Sequence, residues 1–98
     1  MPTAIITGSS RGIGSAIAKR FAVDGYDIVV NYLQNEEAAE RTATEIRETS
    51  GVEALVVQAD VSDADAVERL VDETVNAFGG VDHVVFFFQA EDGIRAVR

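Results

Sequence analysis

Ala4-Ile5-Ile6-Thr7-Gly8-Ser9-Ser10-Arg11-Gly12-Ile13-Gly14 starts as a short apolar run and passes at once into a glycine cluster. The pattern predicts a strand entering a tight turn. Beyond the turn, Ile13, Ile17 and Phe21 recur every four residues among the helix formers Ala16, Ala18 and Ala22, and Gly25 follows where a C-terminal cap belongs. A helix over roughly 12–24 is expected. The glycines are spaced G-x-x-x-G-x-G, and each has a separate use. Gly8 lets the chain turn sharply, Gly12 lets backbone approach a pyrophosphate, and Gly14 lets the helix pack near the strand. A helix opening here aims unpaired N–H groups and the positive end of its dipole at whatever lies above the turn. The ligand it suits is a pyrophosphate anion. A glycine pattern carries this meaning only between a strand and a helix in a βαβ unit of suitable length, and that context is met.

Outward from this stretch, strands and helices alternate. Ile28-Val29-Val30 reads as a second strand, residues 31–35 as a polar loop, and Glu36-Glu37 as the acidic start of a helix running to about Ser50 and closed by Gly51. Ala54-Leu55-Val56-Val57 is a third strand. Ser62-Asp63-Ala64-Asp65 resembles a capping box, opening a helix with Val67, Leu70, Val71 and Val75 inward and Gly79-Gly80 at its end. A fourth strand begins at Val81-Asp82-His83-Val84-Val85. Apolar strands alternating with helices of this length imply parallel strands joined by right-handed crossovers, with both faces covered. The expected class is α/β, a doubly wound parallel sheet of Rossmann type, with strand order 3-2-1-4.

The chain has 98 residues, 47% of them hydrophobic and 26% charged, as expected for one soluble globular domain. There is no cysteine, and the single His83 cannot build a zinc site, so no metal site is expected. His83 reads as structural. No window reaches the ~18 apolar residues of a membrane span, and the first residues lack a basic leader, so a cytoplasmic protein without a membrane partner is expected. A net charge of -9 repels a phosphate backbone and argues against nucleic acid.

Thr7-Gly8-Ser9-Ser10-Arg11-Gly12-Ile13-Gly14 resembles the T-G-x-x-x-G-x-G motif of the short-chain dehydrogenases/reductases. The resemblance covers residues 3–85. Asp60-Val61 is similar to the pair that meets the adenine ring in that family, and Phe78-Gly79-Gly80-Val81-Asp82 to its entry into the fourth strand. The spacing differs from the sugar-nucleotide epimerase pattern, and no lysine follows the last glycine as a P-loop would require. The resemblance implies NAD(P) held by Gly8, Ser9, Ser10, Arg11, Gly12, Ile13, Gly14, Asn31, Tyr32, Asp60 and Val61. A free 2'-hydroxyl wants a carboxylate at the end of the second strand; Asn31-Tyr32 stands there, and Arg11 resembles the basic residue that meets a 2'-phosphate. NADP is therefore expected over NAD. Among its members the chain looks most like the 3-oxoacyl-acyl-carrier-protein reductase type, with a carbonyl or alcohol substrate. The resemblance also implies a homo-oligomeric parent protein, assembled through elements beyond residue 98.

The sequence then departs from the family. After Val84-Val85 the family continues N-N-A-G and later supplies Asn, Ser and Tyr-x-x-x-Lys, in which the tyrosine is the general acid. Tyr26 and Tyr32 are not followed by lysine four residues on, so no catalytic residue is assigned and the 98 residues are expected to be inactive by themselves. Phe86-Phe87-Phe88-Gln89-Ala90-Glu91-Asp92-Gly93-Ile94-Arg95 changes character abruptly. Residues 89–95 resemble the translation of a common sequencing adapter, although Ala96 departs from the aspartate of the next adapter codon. The expectation is a domain over 1–85 and a non-native tail over 86–98, a genuine divergent tail being the alternative. Because the sequence stops short of the strand that lies beside the fourth in the family, an apolar unpaired edge over residues 84–88 is expected, and with it self-association. A non-catalytic dinucleotide-binding or sensor domain is the competing reading to a reductase.

Overall fold

The computed structural model describes residues 1–90 and 93–97, with side chains described through residue 86. Its elements run β1 (Thr3–Ile6), α1 (Gly12–Val23), β2 (Asp27–Tyr32), α2 (Glu36–Ser50), β3 (Ala54–Gln58), α3 (Ala64–Phe78), β4 (His83–Ala90) and β5 (Gly93–Val97). The sheet order is β3-β2-β1-β4-β5. The first four strands are parallel in the expected order 3-2-1-4, with Ile5 opposite Val29 on one side and Val84 on the other. This is the doubly wound Rossmann-type α/β arrangement, with four parallel strands.

Strand alternation sorts the core into two layers. Ala4, Ile6, Ile28, Val30 and Ala54 face α1 and α2 through Ala18, Ala22, Ala39, Ala43 and Ile46. Ile5, Val29 and Val57 face α3 through Leu70. Both faces of β1 and β2 are buried, which is why their sequences are continuously apolar rather than alternating.

The helices seat differently from the expectation. In α1 the buried residues are Gly14, Ser15, Ala18 and Ala22. Ile13 is 57% exposed, and Ile17 and Phe21 are only half-buried. Small residues line the closest approach of helix to sheet, and the larger side chains splay beside it. In α3, Val75 is outward and Thr74 is fully buried in its place, its hydroxyl donating to the Leu70 carbonyl at 2.8 Å. Thr74 lies one helical turn beyond Leu70, directly on the stripe; Val75 is a further ~100° round. That local bond satisfies the hydroxyl, so burying it carries little penalty.

Two strand boundaries also move. The second strand continues through Asn31 and Tyr32, which pair with Val57 and Gln58 of β3, and the polar loop shrinks to residues 33–35. The edge expected to be bare over residues 84–88 is partly taken, because β5 returns antiparallel with Phe86 opposite Val97 and Phe88 opposite Arg95. The strand expected to end the sheet is therefore followed by one more. Val84, still 41% exposed, is opposite Ile5 on the face that only α3 covers. Glu91, Asp92 and Arg98 of the adapter-like tail lie outside the described residues.

Candidate functional site: a glycine turn at an uncapped helix

The turn between β1 and α1 stands at the carboxyl end of the sheet. Gly8 (φ 61°) and Gly12 (φ 65°) hold the left-handed backbone conformation that residues with a Cβ avoid. Gly14 has a different constraint. A Cβ there would overlap the Gly8 carbonyl, 2.9 Å from its carbon, and lie 3.0 Å from Ser9 Cα. The third glycine thus lets α1 press against the turn itself rather than against the strand.

Beneath the turn lies a polar bracket. Gly8 N–H donates to Asn31 Oδ1 at 3.1 Å and Ser9 N–H to the Asn31 carbonyl at 3.0 Å. Asn31 N–H donates to Ser9 Oγ at 3.2 Å, and Ser9 Oγ–H donates to the Ile6 carbonyl at 2.6 Å. On the other side, Thr42 of α2 donates its hydroxyl to the Ser10 carbonyl at 2.8 Å and lies 3.2 Å from Ser15 Oγ. Thr42 and Ser15 were not anticipated from the sequence. The only trace there is a polar residue within the buried stripe Ala38, Ala39, Thr42, Ala43, Ile46 of α2.

The helix starts differ in a way that bears on a ligand. In α2, Asn35 accepts from Ala38 N–H and Glu36 and Glu37 fill the first turn; in α3, Asp63 accepts from Asp65 N–H. In α1, Arg11 makes no side-chain cap and no acid occupies the first turn. The positive end of α1 is left to an external anion. Arg11 itself is exposed, and among residues 1–86, whose side chains are described, it is the one lysine or arginine with neither a carboxylate nor a carbonyl partner: Lys19, Arg20, Arg41 and Arg69 are in ion pairs, and Arg47 donates to the Ala54 carbonyl.

The remaining expected site residues rim this turn at the ends of β2 and β3. Tyr32 is half-buried against the α1 and α2 layer. Its phenol is held above the usual pKa of 10.0, first by desolvation and then by the charge of Glu36, to which it donates a hydrogen bond, and of Glu40. Asp60 is exposed beyond β3. Its Oδ1 accepts from Ser62 Oγ at 2.6 Å and Ser62 N–H at 2.9 Å, which lowers the carboxyl pKa below the ordinary value and shapes the turn into α3. Val61 follows, packed on the α3 layer. Ile13 is exposed at the mouth of the turn. His83 is distant from all of these, at the opposite end of the sheet, against the rings of Phe21 and Tyr26 at 5.9 and 5.5 Å. Among the described residues no three side chains are grouped to hold a metal, and no helix is long and apolar enough to cross a membrane.

A parallel 3-2-1-4 sheet with a three-glycine turn at an uncapped helix defines a nucleotide-binding Rossmann protein. The chain belongs to the short chain dehydrogenase family, which it matches over residues 2–86. It is 43% identical over 83 residues to the 3-oxoacyl-acyl-carrier-protein reductase FabG of Staphylococcus aureus, covering 85% of this chain and 33% of that protein. Among solved structures it resembles a short chain dehydrogenase from Burkholderia cenocepacia in complex with NADP (44% identity, TM-score 0.79, 85% of this chain and 34% of that one). It also resembles the L-sorbose reductase of Gluconobacter frateurii complexed with NADPH and L-sorbose (38% identity, TM-score 0.79, 85% and 31%). The chain spans about a third of the length of the curated relatives it matches.

Proposed function

We propose that this chain is the nucleotide-binding part of a cytoplasmic short-chain reductase that takes NADP(H), the longer protein moving a hydride between the nicotinamide and a carbonyl or alcohol carbon. The observation that carries the reading is the glycine turn at the uncapped start of α1, with Arg11 unpartnered beside it. The diphosphate would lie over residues 8–14, where free N–H groups and the helix dipole favour an anion. The adenine would meet Asp60 and Val61, and Tyr32 would flank the ribose. Arg11 would take the 2'-phosphate as a charge-assisted contact. Glu36 and Glu40 near the end of β2 pull toward NAD, since carboxylates repel a phosphate; Arg11 outweighs them because it is free while Glu36 is engaged by the Tyr32 phenol. The complexes of similar proteins with NADP and NADPH support the same choice.

Binding of the 98-residue chain is read from the fluorescence of NADPH and NADH on titration. NADPH is expected to saturate and to bind more tightly than NADH. Arg11→Ala removes an ionic hydrogen bond of about 1.5–3 kcal/mol and lowers NADPH affinity about 10–100-fold, with little change for NADH. An equal loss for both dinucleotides sinks the assignment of Arg11. We also propose that the chemistry belongs to a longer homo-oligomeric protein and that residues 86–98 are no part of the nucleotide-binding unit. The family match ending at residue 86 supports this. Re-reading the coding DNA across codon 85 tests it: a frame running on to Tyr-x-x-x-Lys supports the reductase, and a repeat of the Phe-Phe-Phe-Gln reading favours the binding-only alternative.

A further inference from the structure

We infer that Asn31 is a positioning residue that fixes the shape of the glycine turn, and that it does not read the ribose of the dinucleotide. This inference rests on the NADP reading above only for its binding arm. At the end of β2 the obvious role for a polar side chain is to face the ligand, yet Asn31 is 2% exposed and its side chain is fully committed inside the protein. Nδ2 donates to the Val57 and Ala59 carbonyls, both at 3.2 Å, which uses both amide hydrogens. Oδ1 accepts from Gly8 N–H, the Asn31 carbonyl accepts from Ser9 N–H, and its own N–H donates to Ser9 Oγ. One residue thus ties the first two residues of the turn to a carbonyl near the end of β3 and to the Ala59 carbonyl just beyond it. Only a primary amide supplies two donors on one branch and an acceptor on the other at this length.

The amide chemistry gives a prediction opposite to the one a ribose reader would give. A carboxylate at position 31 that faced a 2'-hydroxyl would raise affinity for NAD relative to NADP. A carboxylate in the bracket instead sets an anionic oxygen against two carbonyl oxygens, distorts the turn and weakens both dinucleotides alike.

The test uses the ¹⁵N-labelled 98-residue chain. In wild type the Gly8 amide and the Asn31 Nδ2 protons are expected to exchange slowly with solvent, a measurement that needs neither a variant nor a ligand. In Asn31→Asp and Asn31→Ser, Gly8 amide exchange is expected to quicken at least tenfold while Ile5 and Val29 remain protected, and NADPH and NADH affinities fall by the same factor. Fast exchange of Gly8 in wild type, unchanged Gly8 exchange in the variants, or an Asn31→Asp chain that gains NADH affinity over NADPH overturns the inference. If wild type binds neither dinucleotide, the NADP reading fails, and the exchange arm alone decides for or against the bracket.

Discussion

Gly14 and Gly80 are both glycines without a left-handed backbone, and they should respond oppositely to a methyl group. At Gly14 the added carbon meets the Gly8 backbone, which has no flexible end to give way; at Gly80 nothing lies within 4 Å. Gly14→Ala is expected to cost about 1–3 kcal/mol in urea denaturation, typical of overpacking, whereas Gly80→Ala changes stability by less than ~1 kcal/mol and with the opposite sign. Equal effects would show that α1 does not press on the turn. Tyr32 offers a second residue-level test. Its raised pKa means that the native state holds the phenolic proton more tightly than the unfolded chain, so the associated stability is present below the ordinary pKa of 10.0 and is lost as pH rises above it. In a Tyr26→Phe background, absorbance titration at alkaline pH should place the Tyr32 midpoint above 10.0, and Glu36→Gln should bring it down. The importance of both residues was visible in the sequence, but their surroundings were not. A strand read to end at Val30 leaves Asn31 in a loop, free to face a ligand. One pair of extra ladder residues turns it inward beside Val29, and whether a strand stops at 30 or 32 depends on the partner it pairs with.

At the scale of elements, β3 is the open side of the sheet, and two arginines guard it from opposite faces. Arg47 of α2 donates to the Ala54 carbonyl at 2.6 Å and Arg69 of α3 to the Gln58 carbonyl at 2.7 Å. Those carbonyls point away from β2, where a further strand would otherwise attach, and the guanidinium groups put charge in that path. The Arg47→Ala, Arg69→Ala double variant is expected to fold and to self-associate at lower concentration than wild type in sedimentation velocity. Unaltered sedimentation would show that the edge is protected by other means. This guard was not legible, because neither arginine stands in β3 itself. The helices were legible in place and length: α2 and α3 carry the expected glycine ends, and α2 its acidic start, but α3 is capped by Asp63 and not by a capping box from Ser62, whose hydroxyl donates to Asp60. Their inward faces were read less well, because a period of Ile13, Ile17 and Phe21 weighs hydrophobic bulk, while α1 lies closest to the sheet where its side chains are smallest. In α3 a buried threonine satisfied by its own helix is indistinguishable in sequence from an exposed one.

For the molecule as a whole, one α/β layer pattern sufficed to set the order 3-2-1-4, because right-handed crossovers leave few alternatives. The antiparallel return of β5 was not legible, since nothing in the family pattern prepares for it. The two layers are unequal: two helices cover one face and α3 alone the other, so the chain is expected to be modestly stable and to gain visibly from a ligand. With NADPH at about 100 times its dissociation constant, linkage adds about 2.7 kcal/mol, which for a domain of this size raises Tm by roughly 10–20 °C. A Tm indifferent to NADPH would count against nucleotide binding directly.

The position of β1 also governs how the protein comes into being. Thr3 N–H donates to the Asp82 carboxylate, and Thr7 N–H donates to the Val85 carbonyl, partners nearly 80 residues apart. In a ribosome-bound chain growing at about 5–20 residues per second, the central strand emerges early and waits roughly 4–16 s for its second neighbour. During that interval Ala4, Ile5 and Ile6 have one open flank, so this is the period in which a chaperone would have most to hold.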